Sequence, residues 1–184
     1  MILCMVFISG CGSFSSNKGP ISGVNVHTGT SALEMEFLRD SPPRDVYEDQ
    51  IFKAAILLKN DGAYDINEGY LLVGLEGDYM ELLYEYDKKI NLQLDGRSVE
   101  KSVGDEKVEE FVIKAKKIDP QTEMHESSMY FTSCYKYRTE MSETVCIDPD
   151  VYNIKPIEKA CEVKSISLSS QGAPVAITKI EEVI

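Results

Sequence analysis

Five cysteines, two histidines and a large excess of carboxylates are the groups in this 184-residue chain with chemistry to offer. Spacings that hold a metal, such as CxxC, HExxH or HxH, do not occur in it. His27 and His125 sit in polar, Thr- or Glu-rich surroundings that read as loop and surface. Ser41, Ser127, Ser128 and Ser133 lack the GxSxG or SxxK setting that activates a nucleophile. Neighbouring carboxylates such as Glu109 and Glu110 would point to opposite faces of a strand, so no general acid–base pair emerges. Asp65, Asn67, Gly69 and Glu76 have the spacing of positions in a calcium loop, but Tyr70 stands where that loop requires Gly. Asp148 and Asp150 read as a solvated acidic loop. Tyr130, Tyr135 and Tyr137 would flank one strand as packing groups, with a sugar- or partner-stacking platform as the rival reading. The expectation is a protein that is not an enzyme and carries no cofactor or metal.

The cysteines point elsewhere. Residues 1–8, MILCMVFI, are uncharged and unbroken, and Ile8-Ser9-Gly10-Cys11 resembles the lipobox of lipoprotein signal peptides. Small residues let a signal peptidase take the backbone extended, and the Cys11 thiol then receives diacylglycerol and becomes the new first residue. GSFSSNKGPISG follows, with the Gly, Ser and Pro content of a flexible tether. A leader followed by a leash places the body outside the cytoplasm, on the outer face of the cell membrane. No Lys or Arg precedes Lys18, unlike the charged start of a full signal, which implies a start placed too late or a trimmed sequence. The competing reading is an N-terminal β-strand. No run of about 18 apolar residues suggests a membrane-spanning helix. The formal net charge of −12 argues against nucleic acid or anionic lipid as a sequence-independent partner, because both need a basic face.

Any such groups must be positioned by strands, because the apolar period from about residue 31 is two. Leu33, Met35 and Phe37 alternate with Glu34 and Glu36; Phe52, Ala54, Ile56 and Leu58 share a face opposite Lys53 and Lys59. GYLLVGL (residues 69–75) reads as a strand buried on both sides, and Met80, Leu82, Tyr84 and Tyr86 as one face of the next. Ile90, Leu92 and Leu94 lead into Asp95-Gly96, a hairpin signal. Phe111, Ile113 and Ala115 line another strand, and residues 129–147 read as two strands with a turn near Arg138–Met141. Pro42-Pro43 fits a bend between the first two strands. Seven or eight strands spaced by roughly ten residues predict an all-β, immunoglobulin-like β-sandwich.

The runs LEMEFLRDSPPRDVYEDQIFKAAILLKNDGAYDINEGYLLV and CYKYRTEMSETVCIDPDVYNIKPIEKACEVKSISLSSQGAPVAITKIEE resemble uncharacterised envelope lipoproteins of archaea. Those proteins are similar to adhesion-type immunoglobulin-like modules. The resemblance covers most of residues 31–182 and implies fold and place; it supplies no activity. Family members commonly continue into a second β-domain after QGAPVA, so a chain ending at Ile184 implies a shortened or truncated member.

Once Cys4 and Cys11 are assigned to the leader, Cys134, Cys146 and Cys161 remain, enough for one disulfide in an exported protein. Cys146–Cys161 is favoured, closing a loop worth on the order of 3 kcal/mol; Cys134–Cys146 across a hairpin and three reduced thiols are the alternatives. The expected organisation is a signal segment over 1–10, a tether over 11–29, the sandwich over 30–150, and a tail over 151–184. The tail begins with the disulfide staple and ends in a strand around Val175–Ile180, whose edge could pair with a protein partner. The functional expectation is a lipid-anchored module for adhesion or surface assembly. The alternative is an extracytoplasmic binding or sensor domain for glycan or calcium.

Overall fold

The computed structural model describes residues 25–84, 89–150, 152, 154 and 158–181. Among them no helix occurs, and nine strands do: β1 (Leu33–Phe37), β2 (Ile51–Asn60), β3 (Ile66–Leu75), β4 (Met80–Leu82), β5 (Lys89–Leu94), β6 (Glu106–Ala115), β7 (Met129–Tyr135), β8 (Ile166–Ser167) and β9 (Lys179–Ile180). The chain is all-β. One antiparallel sheet has the order β1-β2-β6-β4, a second β5-β3-β7, and β8 and β9 form a small ribbon.

The alternation in β2 does what a period of two requires. Phe52, Ala54, Ile56 and Leu58 are buried together with Phe111, Ile113 and Ala115 of β6 and Met80 of β4. Ile66 and Leu71 of β3 and Leu92 and Leu94 of β5 join the same cluster, so the two larger sheets share one core. A buried Leu, Ile or Phe contributes on the order of 2 kcal/mol. A one-residue slip of β2 would exchange those side chains for Lys53 and Lys59, and the register is therefore fixed.

Several expectations are corrected. Leu71 is fully buried but Leu72 on the opposite face of β3 is 37% exposed, because the second sheet has nothing of the described chain over its outer face. The strand at Met80 stops at Leu82. Asp95-Gly96 does not make a tight hairpin: the chain turns over residues 95–105, closed by Asp105 N–H donating to the Asp95 carbonyl (2.8 Å), and returns in the other sheet. Gly96 is needed there because a Cβ would come within 2.7 Å of the Tyr64 backbone. Residues 141–147 form no strand, and Val145 and Ile147 are 48% and 83% exposed for want of a sheet face to cover them. The strand expected around Val175–Ile180 shrinks to Lys179–Ile180. Its earlier backbone groups are taken: Thr139 Oγ1 donates to the Val175 carbonyl (2.7 Å), and the Gln171 amide engages both groups of Ile177. Pro42-Pro43 does lie in the connection between β1 and β2. There Ser41 Oγ accepts the Ala55 N–H (2.8 Å), continuing the edge of β2 past the end of β1.

One polar side chain is completely buried with the core. Asn60, the last residue of β2, donates through its amide to the carbonyls of Tyr64 (2.8 Å) and Leu94 (3.0 Å), and its Oδ1 accepts the Gly62 N–H (3.2 Å). It therefore ties the first sheet to the end of β5 and to the approach to β3. Replacing Asn60 with Ala strands two buried partners and one part-buried one at about 1 kcal/mol each. Asn60→Ala is expected to lose on the order of 3 kcal/mol in urea denaturation, seen as a lower midpoint at unchanged slope.

Candidate functional site

The end of the body nearest Asn60 gathers polar and aromatic side chains. Its foundation is the tail segment Ser170–Ala173. The Gly172 N–H donates to the Gly29 carbonyl (3.0 Å), and the Gly172 carbonyl accepts from Ala63 N–H (2.8 Å) and from the Tyr137 hydroxyl (3.3 Å). The Gly29 N–H donates to Ser170 Oγ (2.9 Å). Gly172 has φ of +69°, and a Cβ there would sit 2.8 Å from that of Ala63, so no other residue fits without movement. Ala173 is fully buried beside it. Val26, within the stretch read as tether, is also buried.

The Tyr137 hydroxyl is a two-way link. It accepts the Tyr64 N–H (3.2 Å) while donating to Gly172, so body and tail meet at one oxygen. Burial pushes the Tyr137 phenol above its ordinary value of 10.0. Tyr64 stands edge-on to Tyr137 (6.2 Å between centroids), with His27 tilted against it at 5.5 Å. The Arg138 guanidinium lies over the Tyr64 ring (5.0 Å) and bonds Glu140 through Nε (2.8 Å). The Tyr64 hydroxyl donates to the same carboxylate (3.0 Å). Burial, and then that bond to Glu140, raise the Tyr64 phenol as well. Beside this cluster is a shallow hollow of about 350 Å³ lined by Asp65, Asn67, Glu68, Lys136 and Arg138 together with the two tyrosines.

Tyr130 does not join this group. Alternation along β7 sends it to the outer face, 66% exposed, while Tyr135 turns inward and its hydroxyl accepts the Leu33 N–H (3.4 Å). The three tyrosines form no common platform. Nor do the calcium candidates assemble. Asp65 Oδ1 accepts the Gly96 N–H (2.8 Å), Asn67 and Gly69 lie along β3, and Glu76 faces His125 at 3.3 Å. Among the described residues no three His, Cys, Asp or Glu side chains are grouped to hold a metal. His125 stacks on Tyr79 (3.6 Å) at the surface.

Cys146 and Cys161 are joined as a disulfide, their Cα atoms 5.9 Å apart. Within the loop they close, Lys159 pairs with Asp148 and donates to the Asp150 carbonyl (3.1 Å). That ammonium, followed by the Asp150 N–H, holds the Asp148 carboxyl below its usual range. A second hollow, of about 540 Å³, lies against Asp148, Lys159 and Cys161. Cys134 is a free thiol on the outer face of β7, beside Tyr70. It has no hairpin partner strand to bring it opposite Cys146. Cys11 lies outside the described residues.

Tyr64, Asn60 and the docking role of Gln171-Gly172 are absent from the reading of the sequence alone. The Gln-Gly pair marks a turn there, but nothing in its neighbours says what it packs against. No protein-family model matches this chain, and no curated protein matches it.

Tyr137→Phe removes both bonds of the linking hydroxyl and is expected to destabilise by about 1–2 kcal/mol. The pH dependence has a definite sign. A phenol whose folded value lies above its unfolded one contributes stability that is intact below about pH 10 and lost as the pH rises through the folded value. Thermal melts of the parent chain should therefore fall above pH 10, and those of Tyr137→Phe should fall less steeply.

Proposed function

We infer that this chain is a non-catalytic, lipid-anchored envelope protein. Cys11 holds it to the outer face of the cell membrane, and an immunoglobulin-like β-sandwich is displayed for adhesion or assembly of a surface structure. The observation that carries this reading is the Cys146–Cys161 disulfide, which is independent of the amino terminus. Disulfides persist in oxidising compartments and are rare in the cytosol. Together with the lipobox-like Ile8-Ser9-Gly10-Cys11, the bridge favours export over a cytosolic chain with an ordinary first strand. The sheet orders support the immunoglobulin comparison in part: β1-β2-β6-β4 take the places of A, B, E and D, and β3 and β7 those of C and F. By contrast, β5 lies beside β3 in the place of C′ although it follows β4 in the chain, and among the described residues no strand takes the place of G beside β7. The resemblance to archaeal envelope lipoproteins agrees with this location.

A second reading is a glycan-binding or sensor domain in the same place, favoured by the hollow beside Tyr64 and Arg138. Calcium sensing has less support, since Asp65 and Asp148 already have partners. The two readings share the anchor and differ in whether a thermal shift appears with a glycan panel.

Metabolic labelling with palmitate and fractionation of the expressing cells test the anchor. The parent protein should carry label and sediment with membranes, and Cys11→Ala should lose both. Membrane retention of unlabelled Cys11→Ala protein would remove the lipoprotein reading. Unreduced peptide mapping of the same material should recover Cys146 linked to Cys161.

A further inference from the structure

The open strand edges are not treated alike. β1 carries Glu34 and Glu36, and β5 carries Lys89. β4 pairs with β6 only from Ile113 to Ala115, leaving the earlier part of β6 open on that side. There the alternation set by Phe111 turns Lys107 and Glu109 toward the core side, where they pair at 2.5 Å. Inward-pointing charges of this kind keep an edge from recruiting another strand.

β7 has no such protection. Its sequence, MYFTSCY, contains no charge, proline or glycine, and it is the outer strand of its sheet. Lys136 N–H donates to the Glu68 carbonyl (2.9 Å), so even-numbered residues turn their backbone groups toward β3. Those of Phe131, Ser133 and Tyr135 therefore face the free side, where no strand of the described residues pairs with them. The flank beside this edge is apolar. Phe131 meets Phe37 of β1 edge-on at 5.3 Å, and Met35 and Phe37 remain 36% and 45% exposed.

We propose that β7 is a dimerisation edge that pairs antiparallel with β7 of a second copy of this chain. The register of the strip selects the occupant. A net charge of −12 on each copy opposes association elsewhere, and β7 is an uncharged strip on which two copies can approach. The strip is also self-complementary. With Thr132 on the two-fold axis, Phe131 lies opposite Ser133 of the second copy and Tyr130 opposite its Cys134. Large residues then meet small ones on both faces, and Thr meets Thr at the centre. The free groups of Phe131, Ser133 and Tyr135 gain partners, and one six-stranded sheet runs through both molecules.

The register makes the test specific. Thr132 would face its own copy as a non-hydrogen-bonded pair, with Cα atoms about 4.5 Å apart, within disulfide reach. Cys134 would lie opposite Tyr130 instead, out of reach of its counterpart. In the full chain, Thr132→Cys combined with Cys134→Ser should cross-link into a dimer under mild oxidation, while the parent's Cys134 should not. Ser133→Pro removes an N–H from the free side alone, a substitution that edge strands tolerate. It should raise the concentration at which dimers form by roughly tenfold or more in sedimentation, with the monomer's melting temperature unchanged. A parent chain that stays monomeric at every reachable concentration overturns the proposal. So does a dimer that neither responds to Ser133→Pro nor cross-links through position 132.

Discussion

Two sheets that share an apolar core can still slide or splay where the strands end, and in this protein a buried carboxamide opposes that. The Asn60 amide holds the Tyr64 and Leu94 carbonyls and the Gly62 N–H at once, so the end of β2 is bonded to the segments that open β3 and close β5. An apolar residue of the same size would fill the space but would leave those groups without water or partner. The core supplies most of the favourable energy; the amide decides which arrangement of the strand ends is allowed. Everything at that end follows from it. The turn at Gly62 and Ala63 is presented to the tail, and Tyr64 is aimed at Tyr137.

The tail then completes the end of the body and is held from two sides. Gly172 is hydrogen-bonded between Gly29 and Ala63, while the Gln171 amide folds the segment from 169 to 177 onto itself. Upstream, the Cys146–Cys161 bridge shortens the connection between body and tail. A covalent loop lowers the entropy of the undocked chain and so favours docking. The hollow near Tyr64 depends on this arrangement, since Tyr137, one of its walls, is braced by the tail's own carbonyl.

Much of the architecture was legible because alternation reports burial directly. Phe52 to Leu58, Phe111 to Ala115 and Ile90 to Leu94 have the faces their spacing implies. Legibility failed where a side chain took over the work of a strand. Val175 and Ile177 alternate well, but Thr139 and Gln171 occupy their backbone groups, and no local pattern announces a partner 36 residues away. Asp95-Gly96 signalled a hairpin that does not form, because the glycine makes room for the Tyr64 backbone instead. The tyrosine-rich end was hidden for a related reason: Tyr64 and Tyr137 are distant in sequence and meet only through the pairing of β3 with β7, with the tail bracing the hydroxyl.

The account rests on tail and body being one cooperative unit, closed at the Asn60 end. Native-state hydrogen exchange on the disulfide-intact chain measures this most directly, through the amides of Ala63 and Gly172 against that of Leu58 in β2, the strand flanked by β1 and β6. If the account is right, all three exchange only through global unfolding and share one opening free energy. If Ala63 and Gly172 exchange rapidly and independently of denaturant while Leu58 stays protected, the tail is an appendage and the account is contradicted.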